Sequence, residues 1–187
     1  MAYASRSRRP LAEEEKSTDE AKARARAMEL LAGQELSSGM LYERLNRRFA
    51  QQTSAAVVAE MVRREYVDDA RYAEARAHGL LAAKKSRRAA AQNLRQKGLA
   101  AGEIQQALDA VYAPDEAGAD PELEAAAALV ESRYKGRLAA GRRDLVVAAL
   151  MRRGFAYPVV KEAIRRAEED YLILCTTSQL RFAQQLP

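Results

Sequence analysis

Thirty-one Lys and Arg side chains are the chemistry this sequence has most of. Seven of them (Arg76, Lys84, Lys85, Arg87, Arg88, Arg95, Lys97) lie between Glu74 and Glu103 with no acid among them. Cations grouped in this way suit a polyanion, either nucleic-acid phosphate or an acidic protein surface. A solvated helix face accounts for such a block equally well. Three further groups are spread along the chain: Arg44, Arg47 and Arg48; Arg142 and Arg143; Arg152 and Arg153. Arg48, Lys97 and Arg153 stand where helices end, so they also suit the negative pole of the helix dipole, for about 0.3–1 kcal/mol each. Lys84, Lys85, Arg87 and Arg88 stand where a helix begins. The dipole disfavours cations there, so an external anion explains them better.

Other chemistry is sparse. One His (His78) and one Cys (Cys175) cannot supply the three or four ligands of a zinc site. A single Cys forms no intrachain disulfide, which suits a reducing, cytoplasmic setting. Asp68 and Asp69 lack a third acid nearby and read as helix caps, not metal ligands. Neither common glycine-rich nucleotide loop occurs. No catalytic residue, metal or cofactor is expected. No run is apolar enough for a membrane span.

The elements that position these bases must be helices. Ala occurs 40 times, while Val and Ile together occur 13 times, which favours helix over sheet. The net charge of +5 is unevenly distributed: residues 100–124 carry seven acids and no base. Residues 1–18 read as a disordered tail. Ser17 and Glu20 have capping-box spacing for a first helix that stops near Gly33. Ser37 caps a second helix, and Thr53 or Ser54 a third, with Val58, Met61 and Val62 inward. Asp68 or Asp69, then Ser86, start the next two helices, and Gly98 stops the latter. Another helix holds Ile104, Ala107, Leu108 and Val111. Asp120-Pro121 opens the next, and later helices are expected over 141–153 and 158–169.

These helices superpose as internal repeats. Leu45, Leu94 and Leu150 are anchors spaced by 49 and 56, each followed three residues on by a base. Gly98-Leu99 and Gly154-Phe155 follow the last two anchors. Ile104 with Leu108 matches Val160 with Ile164, and Val58 with Val62 is the counterpart after a three-residue insertion. The expected fold is all-α: three tandem three-helix, helix-turn-helix-like repeats stacked in an elongated, curved array. The expected boundaries are 19–67, 68–113 and 121–169, with a linker over 114–120 and a C-terminal tail over 170–187. A DNA-reading role for the third helix of the middle repeat is disfavoured, because Glu103 and Asp109 are its only charges.

Four short segments carry a family resemblance. They are Ala27-Met28-Glu29-Leu30-Leu31-Ala32 with the Ser37, Leu41 and Arg44-Leu45 that follow; Tyr66-Val67-Asp68-Asp69 with Arg71-Tyr72-Ala73; Leu94-Arg95-Gln96-Lys97-Gly98-Leu99; and Arg152-Arg153-Gly154-Phe155. In that order they resemble the RecX regulatory proteins over roughly residues 24–168. Ser86 departs from the family's usual Gly, and Met40 from an acid that would complete a capping box. The resemblance implies a non-enzymatic protein that lies along the groove of the RecA filament on single-stranded DNA. It would inhibit ATPase, strand exchange and co-protease activity, limiting recombination and the SOS response. Its expected contact residues, chosen on charge, are Arg87, Arg88, Arg95 and Lys97, with Lys84, Lys85, Arg152, Arg153, Arg47 and Arg48. The RecA filament is the expected partner of a monomer that does not enter membranes. Single- or double-stranded DNA stays open as a further partner, and direct DNA binding of helix-turn-helix type is the alternative function.

Overall fold

A computed structural model describes residues 11–116 and 118–169. The start of the expected N-terminal tail and the whole expected C-terminal tail, with Cys175, lie outside the described residues. The described chain is helical, as its alanine content requires, and holds no strand beyond one isolated bridge between Ser17 and Phe49. The helices are α1 (Glu20–Gly33), α2 (Ser38–Leu45), α3 (Gln51–Arg63), α4 (Asp69–Ala82), α5 (Arg87–Gln96), α6 (Ala101–Val111), α7 (Pro121–Leu129), α8 (Lys135–Ala139), α9 (Arg143–Arg152) and α10 over 157–169. A π-helical turn, Val130–Tyr134, joins α7 to α8. Two compact units result. One takes the chain to Tyr72 together with Arg95–Glu103; the other takes Ala73–Leu94 with the residues from Ile104 onward.

The first unit is built on alanine. Ala23 and Ala27 of α1 are fully buried and share a core with Leu36, Leu41, Leu45, Phe49, Val57, Met61 and Val67. Small side chains let helices pack closely, and each buried Leu contributes about 1.5–3 kcal/mol. Arg24 and Glu60 tie α1 to α3 across 2.8 Å.

Three expectations fail in this unit. Asp19, not Ser17, caps α1, accepting from the Lys22 N–H at 3.0 Å. Ser17 is taken up by the chain after α2: its N–H donates to the Arg48 carbonyl, and its carbonyl accepts from the Ala50 N–H. That pairing and a 3-10 turn at Glu13–Glu15 order the residues just before α1, which the composition suggests are disordered. Glu13 accepts the Gln51 N–H, so an acid from this segment closes the first turn of α3. Thr53 and Ser54 are therefore not caps but lie buried inside α3, their hydroxyls donating to the Thr18 and Phe49 carbonyls. The α3 register also moves by one residue. Val57 and Met61 are each 1% exposed, whereas Val62 is 44% exposed and lines a shallow groove with Tyr42 and Ala59. The counterparts of Ile104 and Leu108 are thus Val57 and Met61, after an insertion of two rather than three.

The first unit also holds the start of α2 against the end of α5. Ser37 Oγ accepts from the Met40 N–H at 3.1 Å, and its hydroxyl donates to the Lys97 carbonyl. The Ser38 N–H donates to Asp69 Oδ1 at 2.8 Å, and the Ser38 hydroxyl donates to Oδ2. Gly39 and Gly98 touch backbone to backbone: a Cβ on Gly39 would stand 2.7 Å from Gly98 Cα and O.

The second unit repeats the arrangement. Ser86 Oγ accepts from the Ala89 N–H at 3.1 Å and donates to the Arg153 carbonyl at 2.9 Å. The Arg87 N–H donates to Glu122 Oε1 at 3.0 Å. Gly154, at φ +91°, allows the approach; a Cβ there would stand 2.8 Å from Ser86 Oγ. Asp120 caps α7 through the Glu122 N–H at 2.8 Å, with Pro121 in the first turn as expected. Leu123, Leu129, Val146, Leu150, Phe155, Val160 and Ile164 form a core. At the π turn the Ala128 carbonyl accepts from Ser132 Oγ at 2.6 Å and from Lys84 Nζ at 3.5 Å. Side chains that take a helix carbonyl bend the ladder there. The sequence pattern offers no sign of this turn.

Glycine substitutions separate packing from propensity. Gly79, inside α4, has open space around it: a Cβ there would meet nothing within 4 Å. Gly79→Ala is expected to raise stability by about 0.5–1 kcal/mol. Gly39→Ala, facing the Gly98 backbone, is expected to lower it by about 1–3 kcal/mol. Urea denaturation followed by circular dichroism measures both.

Candidate nucleic-acid and protein interface

The bases expected to form a site do not form one stripe. Lys84 and Lys85 belong to the end of α4. The Lys84 N–H donates to the Leu81 carbonyl and the Lys85 N–H to the Leu80 carbonyl, with Lys84 at φ +56°. This is a Schellman ending in which a lysine occupies the left-handed position usually given to glycine. At a helix C-terminus the dipole favours cations, which corrects the expectation that these two lysines oppose it. Lys84 therefore shares no helical face with Arg88 and Arg95. The Lys85 carbonyl accepts from the Tyr112 hydroxyl at 3.0 Å, and burial pushes that phenol up to about 12.

Arg87 is part of the fold. Its guanidinium pairs with Asp109 of α6, and its N–H bonds Glu122. The Arg87 hydrogen bond holds the Asp109 carboxyl below its usual range. Burial pushes Glu122 upward, against the Arg87 N–H bond. Arg88 and Arg95 are exposed on α5, and no carboxylate among the described residues pairs with either. Lys97 gives its carbonyl to Ser37.

In the second unit Arg153 Nε donates to the Tyr134 hydroxyl at 3.1 Å. The Arg137 and Arg153 guanidiniums stand 5.6 and 6.0 Å from the Tyr134 ring centre. Cation–π contact of this kind fixes Arg153 as a structural group. Arg143 pairs with Glu168 at 2.7 Å, while Arg152 is exposed.

Arg47 and Arg48 have a different setting. They follow α2 directly and line a cleft of about 540 Å³ with Arg26 and Leu30 of α1 and Arg44 of α2. Sequence spacing groups Arg44, Arg47 and Arg48 but misses Arg26, which is 18 residues earlier and is brought in by the packing of α1. Arg26 pairs with Glu29 at 2.8 Å, and Arg44 donates to the Gln34 carboxamide oxygen.

Asp68 and Asp69 act on backbone and hydroxyl donors. Asp68 Oδ1 accepts the Arg71 N–H at 2.9 Å, and both Asp69 oxygens accept from Ser38. Among the described residues no three His, Cys, Asp or Glu side chains stand close enough to hold a metal ion. No described helix is long and apolar enough to cross a membrane.

Charge reversal separates these arginines. Arg87→Glu would face Asp109 and Glu122 with a like charge and is expected to cost on the order of 1 kcal/mol. Arg88→Glu and Arg95→Glu are expected to leave the melting temperature unchanged. Thermal denaturation of the three single variants checks the ranking.

Residues 68–108 match the family model described as RecX, second three-helix domain. No curated protein matches the chain by sequence. Two solved structures share the fold. The chain is similar to RecX from Lactobacillus salivarius at 17% identity, with TM-score 0.68, covering 80% of this chain and 96% of that one. It is similar to a second structure, a regulatory protein RecX, at 21% identity and TM-score 0.67, covering 77% of this chain and 70% of the other. By the match of its middle helices and by its fold, the chain belongs with the RecX family of regulatory proteins.

Proposed function

We propose that the chain binds the RecA–single-stranded DNA filament and restrains its ATPase, strand exchange and co-protease activities, so limiting recombination and the SOS response. The observation that carries this reading is the RecX domain match over 68–108. The helix at its centre, α5, presents Arg88 and Arg95 without carboxylate partners. Such cations suit an acidic protein surface or phosphate. Arg152, exposed after the corresponding anchor Leu150, is a third contact. The organisation that supports the reading is three three-helix modules over 19–67, 68–113 and 121–169, working as a monomer in the cytoplasm.

Duplex reading by α6 is the weaker reading. Its Asp109 is committed to Arg87, and the helix carries no base to meet a phosphate. The protein is expected to lower the single-stranded-DNA-dependent ATPase rate of RecA when added below the RecA concentration. An unchanged rate sinks the proposal. Arg88→Glu and Arg95→Glu, each alone, are expected to weaken that inhibition several-fold while the fold is retained.

A further inference from the structure

We propose that the arginine cleft between α1 and the end of α2 is a binding site for the phosphodiester backbone of a nucleic-acid strand. This goes beyond regulation of RecA: it assigns to the chain itself a contact with the strand, at residues remote in sequence from the matched RecX domain.

The site is built from four guanidiniums and one aliphatic side chain: Arg26, Leu30, Arg44, Arg47 and Arg48. Arg26 and Leu30 lie one turn apart on α1. Arg44 is in the last turn of α2, and Arg47 and Arg48 are in the turn that follows. The charge there is poorly compensated. Glu29 is the one carboxylate bonded to a lining residue, and its side chain is 65% exposed. Arg44 has only the neutral Gln34 carboxamide. Arg47 and Arg48 are exposed and have no side-chain partner among the described residues. Four like charges around one hollow repel one another, and a multiply charged anion relieves that.

The shape and lining select among anions. A guanidinium fork matches phosphate oxygens in pairs, and four forks exceed what one phosphate accepts. Leu30 offers an apolar surface suited to a sugar face. No aromatic ring lines the cleft for a base to stack on, and no lining group is an acceptor for base edges. Contact is therefore with the backbone and independent of base sequence. The carboxylates of an acidic helix would be displayed along a convex face, which fits a hollow less well than a bare, charged backbone does. All four cations stay charged throughout the ordinary pH range, so binding should respond to salt and not to pH.

The test uses the full chain without RecA. Fluorescence anisotropy of labelled oligo-dT, oligo-dA and a duplex is followed against NaCl concentration. The chain is expected to bind oligo-dT and oligo-dA equally. In Arg44→Gln/Arg47→Gln and Arg47→Gln/Arg48→Gln the slope of log K against log salt should become shallower by about 0.7 for each lost contact to a single strand, or about 0.9 to a duplex. The larger slope change tells which form of strand occupies the cleft. Arg47→Lys/Arg48→Lys should retain most of the slope, and Lys161→Gln on α10 all of it. Circular dichroism melts of every variant establish that the fold persists. Unchanged slopes in folded Gln variants overturn the proposal. So does displacement of the oligonucleotide by polyglutamate at lower charge concentration than by unlabelled strand, which would assign the cleft to an acidic protein. Displacement by inorganic pyrophosphate as readily as by strand overturns it in favour of a free-phosphate site.

Discussion

A helix begins with N–H groups that have no partner within the helix, and each must find one elsewhere. In this protein the partners come from far along the chain. Ser37 closes its own helix and also donates to the Lys97 carbonyl, while Asp69 takes the Ser38 N–H. Ser86 does the same with Arg153, while Glu122 takes the Arg87 N–H. One hydroxyl thus satisfies a first-turn donor and a last-turn acceptor together, bringing the positive start of one helix to the negative end of another. The glycines follow from this. Gly39 and Gly98 permit backbone contact, and Gly154 leaves room for Ser86 Oγ. With alanine-rich helices that bury little area each, such bonds matter to which helix ends meet.

Much of this was legible in the residues. The anchors Leu45, Leu94 and Leu150 are all fully buried, because a period of buried positions reflects a repeated helix packing. Asp120-Pro121 and Gly98 act locally, through a cap and a left-handed turn, so their neighbours suffice to read them. The misreadings occur where a distant group decides. Ser17 has good capping spacing but is claimed by the chain after α2, which leaves the cap to Asp19. Val62 has the right type, yet Val57 and Met61 face the core because Glu13 and Ala50 start α3 earlier than Thr53 would. Lys84 and Lys85 look like a helix start because a left-handed lysine, unlike a glycine, carries no signal of an ending. The cleft was half visible: three of its arginines are neighbours in sequence, and the fourth comes from α1.

The charge pattern takes on a different meaning once the partners are known. The acid-only stretch over 100–124 is consumed internally. Glu103 accepts the Ala100 N–H, Asp109 holds Arg87, Asp115 accepts the Ala119 N–H, Asp120 caps α7, and Glu124 holds Arg166. These acids set the fold and leave few carboxylates to shield the remaining bases. Arg47, Arg48, Arg88, Arg95 and Arg152 are what is left over, and the surplus of positive charge resides on them. Several of the other bases named on charge alone, Arg87 and Arg153 above all, serve the fold first.

The paired serines have a further consequence for local opening. First-turn amides of a helix ordinarily exchange their protons with solvent quickly, since no helix carbonyl covers them. Those of Met40 and Ala89 are covered by a hydroxyl that is itself held by a carbonyl 60 or 67 residues away in sequence. Their exchange is thereby coupled to separations between distant stretches of the chain rather than to fraying at a helix end. Each of these two amides is a built-in reporter of whether its own long-range junction is closed, independently of the other.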